Sequence, residues 1–194
     1  MAFRAVGILC FLALACASGQ VPDTPSAPDE SAVLGAVPVP PKVVPRVLDL
    51  ATPENTKITV SLGRQRACLL VCGEVAIEAP VSSGQRRART PAGNYEITEK
   101  ATTHLSGQHG DFIDAKGRVV RNGVSTRTDP APSGTAFRPV ALQYYMKLNA
   151  DGLALHAGRL PGYPASDVSV RLPADIAPLI YQRVKVGTPV VIEE

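Results

Sequence analysis

The sequence has little of what nucleic-acid-binding proteins use. It contains no tryptophan, only 5% aromatic and 19% charged residues over 194 positions, and a net charge of +3. The basic residues are scattered rather than gathered into a stripe, and few aromatic rings are interleaved with them. These absences exclude a nucleic-acid footprint. Partners therefore have to be inferred from a site, since the overall charge does not indicate them.

Long apolar runs are also scarce. The run AVGILCFLALACA (5–17) follows Arg4 and is too short to span a bilayer comfortably. It predicts a signal peptide over 1–17, cleaved before Ser18, and hence a protein exported to the periplasm or cell envelope. The alternative is a lipobox that ends at Cys16 and leaves a lipid anchor on that cysteine. In neither case do we expect a transmembrane span in the mature chain.

Few cysteines remain once the signal peptide is removed. The four cysteines of the sequence then reduce to Cys68 and Cys72. Both fall in RACLLVC, which is typical of a strand, so we expect their Cα atoms about 13 Å apart at ~3.3 Å per residue. A disulfide needs a Cα separation of about 7 Å or less. We therefore predict two buried, unpaired thiols, and neither is the first choice for a nucleophile.

Proline is concentrated in one region. Seven of the 18 prolines lie between residues 18 and 45, which predicts a flexible, extended linker over 18–46 and a folded domain over 47–194. Within that domain, apolar alternation and turn residues predict strands at 57–62, 67–72, 74–82, 94–100, 140–148, 152–157 and 188–193. One helix is predicted in ADIAPLIYQRVKVG (174–187), with Asp175 as its N-cap. The sequence thus predicts a mainly β fold, a sandwich or mixed sheet with one or two helices.

Residues 101–139 differ from the rest of the predicted domain. They are rich in glycine and polar residues, and only GRVV (117–120) resembles a strand. So long an insertion is usually functional, and we predict a wall over a cleft. Four of its side chains have no familiar metal-ligand spacing, so no metal or cofactor is predicted there: His104, His109, Asp111 and Asp114.

The candidate site lies in GLALHAGRLPGYPASDVSVRLP (152–173), where His156 ends an apolar strand. Asp167 and Ser169, two residues apart, face the same way if that segment is extended, and Arg171 continues the row. The pattern leaves two interpretations open. Either an imidazole meets a hydroxyl and a carboxylate, or the strand end holds a satisfied histidine beside a salt-bridged Asp–Arg row.

Four short motifs, in order, resemble those of the YkuD-type L,D-transpeptidases, bacterial envelope enzymes that cross-link peptidoglycan. PVSSGQRRARTPAGNYEI (80–97) is similar to the family's P-V-S-x-G…T-P-x-G-x-[FY]-x-I, and ALHAGRLPGYPAS (154–166) to its histidine strand. VRLP (170–173) and VKVGTPVVI (184–192) follow, so the resemblance covers roughly 57–193. It implies a YkuD-like β fold and peptidoglycan stem peptides as partners. It also implies a set of substrate-binding residues: Ser166, Arg171, Gly158 and Tyr163.

The sequence departs from the family at the nucleophile. Where the family reads S-H-G-C-x-R, this chain reads SDVSVR (166–171). The cysteine nucleophile falls on Ser169, its histidine partner on Asp167 and the glycine on Val168, whereas His156 and Arg171 are kept. The resemblance implies that the family's thiolate attacks the diaminopimelate–D-alanine bond of a stem peptide. A serine hydroxyl has almost no anion near neutral pH, and a carboxylate is a feeble base for activating it.

Three functional hypotheses remain open. In the first, the protein is a silent or much weakened homologue, a pseudoenzyme that binds stem peptides or regulates an active relative. In the second, it is a serine-based transferase or hydrolase in which Ser169 is the nucleophile, His156 the base and Asp167 the group that orients the imidazole. In the third, it is a non-catalytic envelope scaffold.

A basic run beside TPAG either meets stem-peptide carboxylates or forms a solvated loop: Arg86, Arg87 and Arg89.

Overall fold

The structure is a computed structural model that describes residues 39–194. The predicted signal peptide, the possible lipidation site Cys16 and most of the predicted linker lie outside the described residues, and they stay predictions. From residue 39 to the C-terminus, no helix is long and apolar enough to cross a membrane.

Strands dominate the part of the chain that the structure describes. In chain order the elements there are β1 (Lys42–Val43), α1 (Pro45–Leu48), β2 (Thr56–Ser61), β3 (Arg66–Val71), β4 (Glu74–Pro80), β5 (Gly93–Glu96), β6 (Glu99–Ile113), β7 (Val119–Ser125), β8 (Ala136–Lys147), β9 (Ala154–Ala157), β10 (Val170–Leu172), α2 (Ala177–Arg183) and β11 (Pro189–Glu193). Every predicted strand region contains an observed strand. The prediction of a mainly β fold with one or two helices is confirmed.

The first sheet has the strand order β1-β4-β3-β2-β11-β5. Its neighbours pair antiparallel except β2 and β11, which run parallel. Burial alternates along β3, where Ala67, Leu69 and Val71 face the core. This is the period of two that the apolar alternation predicts for a sheet with one buried face.

The prediction for the two thiols is partly wrong. Within residues 39–194 both cysteines are unpaired, as predicted, but Cys72 is exposed and Cys68 is only partly buried. Cys68 lies on the outward-facing side of β3. Cys72 occupies the two-residue turn before β4, where Cys72 and Gly73 both have positive φ, 50° and 87°. Tight hairpin turns require that conformation, and the turn carries Cys72 out of the core.

The second sheet has the strand order β10-β9-β8-β6-β7. Its short edge strand β10 runs parallel to β9, and the register places Arg171 directly opposite His156. This parallel pair is the element of the fold that brings two predicted site residues side by side.

Residues 101–139 are not the largely irregular insertion that the sequence predicts. Most of them belong to β6, β7 and the start of β8, which pair antiparallel. The strands escape detection because both of their faces are largely exposed, so no apolar alternation develops. Gly110 is needed where β6 meets β8, because a Cβ there would lie 2.1 Å from the carbonyl oxygen of Arg138.

One cluster of buried apolar side chains joins the two sheets and α2. It includes Ile58, Leu69, Leu155 and Ile180, and burying a side chain of this size is worth about 1.5–3 kcal/mol. The predicted start of the helix is wrong by one residue. Its N-cap is Ile176, which is buried in the core, whereas Asp175 is exposed.

Candidate active site

His156 is held in one orientation by the end of β9. Its ring is buried, with 5% of the residue exposed. Nδ1 lies 2.8 Å from the carbonyl oxygen of Ala157. A carbonyl only accepts, so Nδ1 carries the proton and donates it. The neutral ring then presents Nε2 as an acceptor, and Nε2 lies 3.0 Å from the Ser169 hydroxyl oxygen.

The surroundings of His156 keep the ring neutral. Burial lowers its pKa below the ordinary 6.5, the hydrogen bond to Ala157 opposes this effect, and electrostatic interactions with Arg171 and His104 lower the pKa further. Burial disfavours the charged imidazolium. Near neutral pH the ring is therefore in the form that can accept a proton from Ser169, although a lower pKa also makes it a weaker base.

The turn that carries Ser169 is strained. Val168 has a φ of 61°, and the N–H of Ser169 donates to the carbonyl oxygen of Asp167 at 2.7 Å. A hydrogen bond over two residues closes a three-residue turn. A β-branched side chain at positive φ is a genuine outlier. The chain thus has the left-handed turn that glycine would form easily, but forms it with valine.

Thr90 holds this turn in place through two hydrogen bonds. Its buried hydroxyl donates to the Val168 carbonyl oxygen at 2.6 Å and accepts from the Gly84 N–H at 2.8 Å. The N–H of Val168 donates to the carbonyl oxygen of Ala88 at 3.1 Å. Thr90 and Gly84 therefore position Ser169 without touching it.

Gly84 has no room for a side chain. A Cβ there would lie 2.2 Å from the Ala88 carbonyl oxygen and 2.5 Å from the Thr90 nitrogen. Gly84 and Thr90 belong to the sequence motifs PVSSG and TPAG, but no role was predicted for Thr90 from the sequence. The signal for that role was the place of Thr90 in the motif, because a threonine hydroxyl that becomes buried needs a hydrogen-bond partner.

The predicted substrate-binding residues take different places. Ser166 is buried, and its Oγ lies 2.8 Å from that of Ser169. Gly158 lets the Arg171 side chain pass, since a Cβ would approach its Cγ and Cδ to 2.9 Å. Arg171 is half-buried on the cleft wall. Tyr163 is 56% exposed and does not line the cleft; its backbone carbonyl accepts from the Ser82 hydroxyl.

Asp167 does not orient His156. Its Oδ2 lies 2.7 Å from Nε2 of His109, a residue of β6, while Nδ1 of His156 faces Ala157. The triad of Ser169, His156 and Asp167 is therefore not assembled in this structure, which contains a serine–histidine dyad. The second interpretation of the sequence, a salt bridge between Asp167 and Arg171, is not formed either. The tight turn at Val168 interrupts the extended backbone on which a shared row of Asp167, Ser169 and Arg171 depends.

A wide cleft opens over the dyad. Its volume is about 1460 Å³, and its lining includes Ser166, Asp167, Ser169, His156 and Arg171. Residues of β6, β7 and β8 also line this cleft, so the region 101–139 does flank a cleft. Pockets for small ligands are typically about 300–1,000 Å³. A cleft of this size suits an extended, peptide-like ligand.

The side chains considered as metal ligands have other contacts. His104 stacks on Tyr145 with ring centroids 4.1 Å apart, and Asp111 and Asp114 pair with arginines. Among residues 39–194, no three histidine, cysteine or acidic side chains are grouped to hold a metal ion.

Comparison with known families decides which fold this is. The family model described as the L,D-transpeptidase catalytic domain (YkuD) matches residues 55–192. This chain belongs to the YkuD family. The matched residues include His156, Ser169 and Thr90, together with most of the parallel pair β2 and β11. The resemblance seen in the sequence is confirmed. No curated protein matches the chain significantly.

Solved L,D-transpeptidases share the YkuD fold. An enzyme from Mycobacterium smegmatis aligns with a TM-score of 0.55 at 18% identity, over 72% of this chain and 59% of its own. L,D-transpeptidase 1 from Mycobacterium tuberculosis aligns with a TM-score of 0.51 at 19% identity, over 72% of this chain and 62% of its own. An L,D-transpeptidase from Stackebrandtia nassauensis aligns with a TM-score of 0.52 at 18% identity, over 72% of this chain and 56% of its own. The chain thus spans less than two thirds of each solved protein.

Proposed function

We propose that this YkuD domain binds peptidoglycan stem peptides in the cleft above Ser169, and that its transpeptidase activity is lost or much weakened. One observation carries the proposal. The dyad geometry is intact in a peptide-sized cleft, with 3.0 Å between Nε2 of His156 and Oγ of Ser169, but the residue at the nucleophile position is an alcohol.

The loss of activity follows from the acid–base chemistry of the site. A cysteine has a few per cent of thiolate near pH 7, whereas a serine depends wholly on its base. That base is a buried imidazole with a lowered pKa, and no carboxylate of residues 39–194 supports it because Asp167 contacts His109. General acid–base catalysis is typically worth about 10²–10⁴ in rate. The buried geometry remains good enough for binding while the chemistry is weak.

Binding is tested by retention on peptidoglycan. The protein should be retained by purified sacculi, and a synthetic tetrapeptide stem ending in diaminopimelate–D-alanine should displace it. Arg171→Gln should weaken retention, whereas Arg46→Gln on the exposed face of α1 should not. Retention that the tetrapeptide leaves unchanged would show that the cleft is not the binding site, and would favour the scaffold hypothesis.

A second function, serine-based acyl transfer or hydrolysis, is favoured by one observation. The Nδ1 hydrogen bond to Ala157 fixes the tautomer in which Nε2 accepts the Ser169 proton. Ser169 would attack a carbonyl, His156 would take its proton and return it to the leaving amine, and an acyl-serine would form. Asp167 takes no part in this form of the hypothesis.

A fluorophosphonate probe tests the second function directly. An activated Ser169 should be labelled, and labelling should disappear in Ser169→Ala and His156→Ala but persist in Ser61→Ala, which changes a serine of β2. An unlabelled wild-type protein removes serine catalysis and leaves the binding function standing.

A further inference from the structure

The charges that line the cleft are unevenly paired. Five arginines and four aspartates contribute to its walls. Three of the aspartates are already matched: Asp111 by Arg138 at 2.7 Å, Asp129 by Arg121 at 2.6 Å and Asp167 by His109 at 2.7 Å. Only Asp151 is left without such a partner among the described residues.

Four of the cleft arginines, in contrast, meet no carboxylate of residues 39–194. They come from separate segments around the opening: Arg87 between β4 and β5, Arg127 after β7, Arg159 after β9 and Arg171 in β10. Arg171 is half-buried and the other three are exposed. Positive charge therefore surrounds the cleft and is not balanced within the described chain.

Unpaired guanidinium groups around a concave site attract carboxylates. Each guanidinium matches a carboxylate with two parallel N–H donors, a geometry that a carboxamide cannot use in the same way. Clefts lined by one sign of charge also raise the local concentration of ions of the opposite sign. The low count of free acidic groups in the cleft means that little repulsion opposes such a ligand.

We infer that this cleft selects stem peptides whose side-chain and terminal carboxylates are free over peptides in which they are amidated. Arg127 and Arg159 contribute the selectivity, each by pairing with a ligand carboxylate away from Ser169. Arg171 pairs nearest the dyad. The inference rests on the proposed binding function and adds the charge state of the ligand. Of the basic run at 86–89, only Arg87 lines this cleft.

The test is calorimetric titration of the full chain with two synthetic tetrapeptides that differ only in free or amidated carboxyl groups. The free acid should bind about tenfold or more tightly than the amide, because two or more charge-assisted contacts are lost together. Its affinity should fall between about 0.1 M and about 1 M salt, where the Debye length shrinks from ~10 to ~3 Å.

Variants locate the effect. Arg127→Gln and Arg159→Gln should each lower the affinity for the free-acid peptide about two- to five-fold, as expected for exposed ion pairs. Neither substitution should change the affinity for the amidated peptide. Arg46→Gln removes the same charge outside the cleft and should change neither peptide. Equal affinity for acid and amide overturns the inference but leaves the proposed function intact. Binding of neither peptide overturns both.

Discussion

Ser169 and Asp167 lie two residues apart, yet they belong to different environments. Ser169 is 9% exposed and contacts His156 and Ser166, which are themselves buried. The side chains of Asp167 and His109 are 36% and 39% exposed, and they pair with each other in the lining of the cleft. The inner side of the site is set by packing and a closed hydrogen-bond network. The outer side is set by one solvent-screened ion pair.

This difference indicates how a family member can change its chemistry and keep its shape. Exchanging the family's cysteine for serine leaves the buried contacts in place, because a hydroxyl fits where a thiol fitted. Placing a carboxylate at the outer position costs little, because a histidine from β6 meets it. We expect stability changes to be large on the inner side and small on the outer side.

The largest effect is expected at Thr90. Thr90→Val keeps the shape but leaves the Gly84 N–H and the Val168 carbonyl without their partner, and an unsatisfied buried group costs about 1–3 kcal/mol. We expect the free energy of unfolding to fall by about 2 kcal/mol in urea titration. Thr103→Val, at an exposed position of β6, is the control and should change it by less than about 0.5 kcal/mol. Equal effects at the two positions would contradict the role given to Thr90.

Val168 should show an inverted order of stabilities. Val168→Gly removes more atoms than Val168→Ala, but only glycine relieves the left-handed backbone, where a Cβ costs about 1–2 kcal/mol. We expect the glycine variant to be more stable than the alanine variant by about 1 kcal/mol. Thermal unfolding of the pair measures this. An alanine variant at least as stable would show that the turn carries no strain.

His156 should give the domain a pH-dependent component of stability. Its pKa is lowered in the folded protein from 6.5, so the unfolded chain binds this proton first as the pH falls. The stability contributed by the neutral ring is complete above about pH 6.5 and is lost as the pH falls toward the folded-state pKa. Unfolding measured from neutral to acidic pH should therefore show a shallower loss in His156→Gln than in the wild type. Identical profiles would contradict the burial of the ring.

The smallest effect is expected at the outer ion pair. Asp167→Asn should change the free energy of unfolding by less than about 1 kcal/mol, because exposed ion pairs are screened by water and salt. A double-mutant cycle with His109→Gln measures the pair alone. A coupling of several kcal/mol would mean that the two sides of the site do not differ as described.

The sequence predicted the strands and motifs that build the site better than it predicted the contacts of individual side chains. Alternation located the strands, and the motifs joined His156 to Ser169, because both signals are carried by local spacing. The partner of Asp167 was missed, since His109 is distant in the chain and the direction of the carboxylate depends on the φ of Val168. The strands at 101–139 were missed because exposed faces leave no apolar period. Burial of Cys68 was misjudged because it depends on which face of β3 is turned outward, and burial of Cys72 because this residue lies in the turn after β3.

The most direct test of the account is to restore the family residues together, as Asp167→His, Val168→Gly and Ser169→Cys, and to measure D-alanine release from the tetrapeptide stem. If the cleft still binds stem peptides and lacks only its nucleophile and the residues beside it, the triple variant should release D-alanine well above the wild-type rate, and the matched variant with Ser169 retained should not. A folded triple variant that releases no D-alanine would contradict the claim that the cleft is intact.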